Sequence, residues 1–178
     1  MRKYIVLPIL LMMFCKASAQ KFVTEKSFIG FYSHATIEDI KADNKKAVGL
    51  FNSATNDLVF SVTISEFKFA KALMQEHFNE KYMESDKYPK STFQGKVAGY
   101  DQTQSALQNV KAVGKLTIHG VTKDVEIPGT IEKQGDKLIF KSVFITKLVD
   151  YKIEIPQLLW QNIAEQVEVT VDFTFKPQ

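Results

Sequence analysis

Apolar and polar side chains alternate with a period of two along most of the chain. In Leu58–Ser65, Leu58, Phe60, Val62 and Ile64 share one face, and Val59, Ser61, Thr63 and Ser65 share the other. In Val110–Ile118 the apolar or small face is Val110, Ala112, Gly114, Leu116 and Ile118. Near the C-terminus Val167, Val169, Val171, Phe173 and Phe175 alternate with Glu168, Thr170, Asp172 and Thr174. A strand turns successive side chains to opposite faces. This period therefore predicts strands with one dry and one wet side, as antiparallel sheets have. On that phase Val169, Val171 and Phe173 point inward, and Thr170 and Asp172 face water. Further strands are predicted over Ser27–Thr36, Ile37–Lys41, Ala47–Asn52, Ser91–Tyr100, Lys123–Ile131 and Lys137–Lys147. Asp43-Asn44, Asn56-Asp57, His119-Gly120 and Gln134-Gly135-Asp136 supply turns between several of them. About eight short strands with tight connections predict an all-β barrel or sandwich.

Two segments break the rhythm. In Ala70–Lys81, the residues Ala70, Leu73, Met74, His77 and Phe78 fall at i, i+3, i+4, i+7 and i+8, one face of an amphipathic helix. Lying between strands, that helix is placed to cover an end of a barrel. Pro156–Glu165 is read as a short helix or turn, with Pro156 suited to a first helical turn. The start of the chain differs from everything after it. Arg2 and Lys3 precede the apolar run Tyr4–Phe14, which is followed by Ala17-Ser18-Ala19. Basic, apolar and small-residue regions in that order predict a secretory signal peptide over residues 1–19, cleaved after Ala19. The apolar run is too short to cross a bilayer as a helix of about 20 residues. Residues 20–178 are then the working domain, periplasmic or secreted, with no stable membrane insertion.

Charge and cysteine content look different once that leader is set aside. The full chain of 178 residues carries a formal charge of +3, but residues 20–178 hold 20 basic and 20 acidic side chains. A neutral chain has no electrostatic reason to bind nucleic acid or an anionic surface. Cys15 is the one cysteine, so residues 20–178 can neither form a disulfide nor perform thiol catalysis. His34, His77 and His119 are far apart and in no metal-ligand spacing. No acyl-transfer serine elbow or glycine-rich phosphate loop is present, and no carboxylate pair stands out. Neither catalytic nor metal-binding residues are assigned, and no cofactor is expected. What remains is a large supply of apolar side chains on alternating faces. A small barrel either fills its interior with them or keeps room for a ligand, and the period alone leaves both open.

The segment Gly114-Lys115-Leu116-Thr117-Ile118-His119-Gly120-Val121-Thr122-Lys123-Asp124-Val125 resembles the G-x-L-T-x-H-G-V-T-K-x-V signature of the YceI-like family. Other pieces follow in that family's order. They are Ser27-Phe28-Ile29-Gly30-Phe31, His77-Phe78, Ser85 to Phe93 with Tyr88-Pro89 inside it, and Tyr151-Lys152-Ile153-Glu154-Ile155-Pro156. The chain departs from the family at Ala35, where a His is frequent, in Phe67-Lys68-Phe69-Ala70-Lys71, where Arg is frequent, and at Trp160, where a basic residue is common. The resemblance implies an exported, lipocalin-like antiparallel β-barrel that binds or carries a polyisoprenoid-type lipid without reacting with it. It also leaves a homodimer open.

On this reading Ile29 and Phe31 from the first strand, and Phe60, Val62 and Ile64 from the strand before the helix, form the wall. Leu73, Met74 and Phe78 form the lid. Phe93, Leu116, Ile118, Phe140 and Phe144 lie deeper, and His77 is the polar group at the mouth. A filled barrel with no ligand is the second reading, and an enzyme acting on a lipid the third. His119, beside Gly120 between two strands, reads as a turn residue rather than a catalyst.

Overall fold

The computed structural model describes residues 20–34, 39–155 and 164–178. The predicted leader over residues 1–19, Ala35, and most of the predicted turn at Pro156–Glu165 with Trp160 lie outside them. Among the described residues the chain forms ten strands. They are β1 (Lys21–Ser33), β2 (Ile40–Asn44), β3 (Val48–Asn52), β4 (Asp57–Thr63), β5 (Lys68–Phe69), β6 (Lys90–Ala98), β7 (Gln108–Ile118), β8 (Val121–Gln134), β9 (Lys137–Lys147) and β10 (Gln166–Pro177). All pairings are antiparallel, and the order β10-β9-β8-β7-β6-β4-β3-β1 closes through β1 on β10. This is an eight-stranded, lipocalin-like barrel. β2 and β5 extend it beside the second half of β1.

β1 is longer than the alternation predicts because its phase changes midway. Phe22 and Ile29 are both buried although they stand seven positions apart, which in a regular strand would set them on opposite faces. A bulge between Thr24 and Lys26, seen as a register shift against β10, inserts the extra residue that brings both inward.

β2 also shifts. The expected turn at Asp43-Asn44 is strand, because the buried Asn44 side chain accepts from Lys46 N at 2.8 Å and donates to Thr63 O at 2.9 Å. Those two bonds move the turn past residue 44. β4 stops at Thr63 rather than Ser65, and Ile64–Glu66 forms a single 3-10 turn with Ile64 buried. Between β7 and β8, His119 (φ 49°) and Gly120 (φ 73°) both sit in the left-handed region, the geometry of a two-residue hairpin turn.

The helix is shorter than its sequence face. α1 covers Ala72–His77 and passes into one wider π-turn, Phe78–Tyr82, closed by Met83 N donating to Phe78 O at 2.9 Å. Five-residue spacing breaks the i, i+3, i+4 stripe, so the face expected over Ala70–Lys81 is not presented as one surface.

Aromatic rings fill both ends of the barrel. At the end marked by the β8–β9 hairpin, Phe51 packs against Phe140 (centroids 5.0 Å) and Tyr100 (5.3 Å), with Phe140 on Phe175 (4.9 Å). At the helix end, Phe78 packs on Phe31, Phe67 and Phe69 with centroids 5.6 Å or less apart.

Candidate functional site: an apolar cavity in the barrel

Between the two aromatic layers the barrel holds a cavity of about 240 Å³. The inner faces of the strands build its wall. Ile29 and Phe31 come from β1, Phe60 and Val62 from β4, Phe93 from β6, Leu116 and Ile118 from β7, and Phe140 and Phe144 from β9. Ile64 borders it from the 3-10 turn and Phe78 from the π-turn. β10 contributes Val167, Val169, Val171 and Phe173, while Thr170 and Asp172 stay off the wall. Asp172 pairs instead with Lys141 at 3.6 Å.

Leu73, Met74 and His77, expected in the lid and at the mouth, do not border the cavity. Leu73 is 61% exposed, and α1 buries none of its own residues. The cause is the short helix: six residues lie outside the barrel, and the π-turn that follows rolls Phe78 and Met83 onto the opening instead.

Other wall residues were not singled out in advance. Leu58, Val110 and Ala112 share a face with named neighbours, so the alternation already carried their signal. Met83, Leu148 and Ile153 reach the wall from turns, where no period exists to reveal them.

The wall carries almost no polarity. Among the described residues no Asp, Glu or His borders the cavity; its polar residues are Ser91, Thr92, Thr130, Ser142 and Thr146, with Lys141 the one charged member. Burial pushes Tyr82, Tyr100 and Tyr151 above the usual tyrosine value, because loss of water penalises the phenolate. Among the described residues no three His, Cys, Asp or Glu side chains converge where a metal ion could be held. This wall can take an apolar molecule out of water, and it offers that molecule little hydrogen bonding.

His119 performs a different task, at the helix end. Its Nε2 lies 3.0 Å from Glu84 Oε2 and its Nδ1 lies 3.2 Å from the Tyr151 carbonyl oxygen. The Tyr88 ring packs edge-on at 4.5 Å. The ring thereby ties the β7–β8 turn to the segment after the π-turn and to the 3-10 turn at Leu148–Tyr151. It is a structural tie and does not border the cavity.

A family model described as the YceI-like domain matches residues 21–175. Three solved structures share the fold at low identity. BcnA of Burkholderia cenocepacia aligns with a TM-score of 0.70 at 18% identity, over 83% of this chain and 95% of that one. A polyisoprenoid binding domain from Saccharophagus degradans, implicated in plant cell wall breakdown, gives 0.71 at 15%, over 90% and 99%. The YceI protein of Campylobacter jejuni gives 0.64 at 21%, over 82% and 88%. No curated protein matches the chain at a significant level.

Proposed function

The chain belongs to the YceI-like family, and from that premise we propose that it binds a long-chain, isoprenoid-type lipid in the barrel cavity and carries or sequesters it without chemical change. The observation that supports this most is the wall itself: about 240 Å³ of space bordered mainly by aliphatic and aromatic side chains, with no carboxylate or imidazole among the described residues on it. An apolar void of about 150 Å³ in another protein stays dry and admits benzene. The void here is larger, and a hydrocarbon gains most from entering it. Each methylene moved from water is worth about 0.8 kcal/mol, so an isoprene unit contributes roughly 3–4 kcal/mol before ordering costs. The likeness to a polyisoprenoid binding domain agrees with this ligand class. Leaving water is the only step required of the ligand. On this reading binding takes place outside the cytoplasm, after removal of residues 1–19.

Native mass spectrometry of the chain purified from its own host tests the proposal. A lipid mass that co-purifies and is displaced by geranylgeraniol is expected. A clean apo mass, with no uptake of dansyl-tagged geranylgeraniol, would favour a barrel that serves only as structure. Phe60→Asp places a charge on the wall beside Phe173 (centroids 4.5 Å). It is expected to abolish probe uptake and to cost about 3 kcal/mol or more of stability, read by urea unfolding.

A further inference from the structure

The ladder between β8 and β9 stops early. Each strand pairs along nearly its whole length with its other neighbour: β8 with β7 from Gln108–Ile131 to Ile118–Val121, and β9 with β10 from Gln166–Lys147 to Phe175–Leu138. With one another they pair only from Thr130–Lys141 to Gln134–Lys137. The remainder of both strands runs as two facing edges with no ladder between them.

One residue accounts for the stop. Ser142 Oγ donates to the Pro128 carbonyl oxygen at 2.6 Å. The main-chain groups of a strand residue point to the same neighbour, so those of Pro128 face β9. Proline has no N–H to donate there, and the ladder ends beside it. The far end of the opening is pinned again. Lys123 Nζ lies 3.7 Å from Asp150 Oδ1, and His119 Nδ1 lies 3.2 Å from the Tyr151 carbonyl. Between Lys123 and Pro128, five residue steps of β8 span about 16 Å. The cavity reaches this opening, since Ile127, Pro128, Ser142 and Phe144 all border it. Outside, Val143 and Ile145 of β9 are each 54% exposed.

We propose that the gap between β8 and β9 is a lateral portal: a single lipid chain enters and leaves the cavity through it, and the part too long for the cavity lies in it. The proposal rests on the lipid-binding reading and adds to it a route. Capacity requires that a long chain leave the cavity somewhere. Scaled from the benzene case, about 240 Å³ holds on the order of ten carbons, so a longer chain must protrude. At the helix end the rings of Phe31, Phe67, Phe69 and Phe78 pack on one another and narrow the way out. The side is where the wall is unpaired. A second strand fits the gap poorly, because Asp124, Glu126 and Pro128 are the charged and donor-lacking residues that keep a strand edge from pairing. A flexible hydrocarbon needs no ladder.

Glu126 and Ile145 do not border the cavity and stand on facing strands. In a Cys15→Ser background, Glu126→Cys with Ile145→Cys is bridged by a bismaleimide containing a reducible disulfide. Stopped-flow uptake and release of dansyl-tagged geranylgeraniol are then followed. Bridging is expected to slow both at least tenfold, with reduction restoring the rates. A second arm needs no bridge: a fluorescein maleimide on Ile145→Cys should slow uptake, and the same label on Leu50→Cys, on the opposite wall, should not. Equal rates in bridged and unbridged protein, or equal effects of the two labels, would overturn the portal while lipid binding stands. Absence of probe binding in the unbridged chain would overturn the lipid reading and the portal together.

Discussion

Ala112 lies on the inner face of β7 and borders the cavity, where a larger side chain could stand without displacing a partner. That makes it the residue at which a kept void can be told from a filled core. Ala112→Leu adds three carbons to the interior. It is expected to raise stability by about 1–2 kcal/mol and to weaken binding of the dansyl probe at least tenfold. Destabilisation by overpacking, measured by urea unfolding, would show that the space is smaller than its volume indicates. Leu73→Trp is the matching control. Leu73 is 61% exposed and off the wall, so its substitution is expected to change neither probe affinity nor unfolding midpoint. At this scale the inner faces of β4, β7 and β10 were legible, because one period of two sorted their residues. The role of Leu73 was not, since a helical face shows which side is apolar and not what it covers.

Among the elements, β6 and β7 set how tightly the barrel curves. Gly95 and Gly114 are register partners, and a Cβ on Gly114 would lie 2.3 Å from Gln94 O and 2.5 Å from Gly95 Cα. Backbone occupies that space and cannot be swung aside. Gly114→Val is therefore expected to cost about 2–3 kcal/mol, seen as a lower unfolding midpoint, whereas Lys115→Val on the outer face of the same strand should change little. Gly114 was visible in the sequence as a member of the inner face, but its partner was not. Alternation assigns a side chain to a face and leaves the register unspecified. The bulge in β1 and the π-turn after α1 were hidden for a related reason. Each inserts one residue of offset, and a periodic pattern read on either side of the offset still looks regular.

Across the whole molecule, stability at low pH depends on several surface carboxylates acting together. Hydrogen bonding to Lys137 holds Glu25 below the usual carboxylate range, with Lys96 doing the same for Asp57 and Lys46 for Glu66. The Tyr32 hydroxyl, and then His34, lower Asp39. A carboxylate depressed in the folded state adds stability above its unfolded value and loses that stability as pH falls through the folded value. The melting temperature is thus expected to be flat from about pH 5 to 8 and to fall below about pH 4. Glu25→Gln should reduce the acid-side loss, and high salt should shrink it further, because these pairs are exposed. Scanning calorimetry across pH checks both.

Antiparallel strands with one dry and one wet face were determined by the order of amino acids alone, because side-chain direction along a strand follows from backbone geometry and needs no partner. The leftover volume between two aromatic layers, and the stretch where β8 and β9 run unpaired, were decided only by closure. Both are sums over residues distant in the chain. Proline at 128 can remove a hydrogen-bond donor anywhere, but it opens a wall only when the strand beside it had that donor to receive.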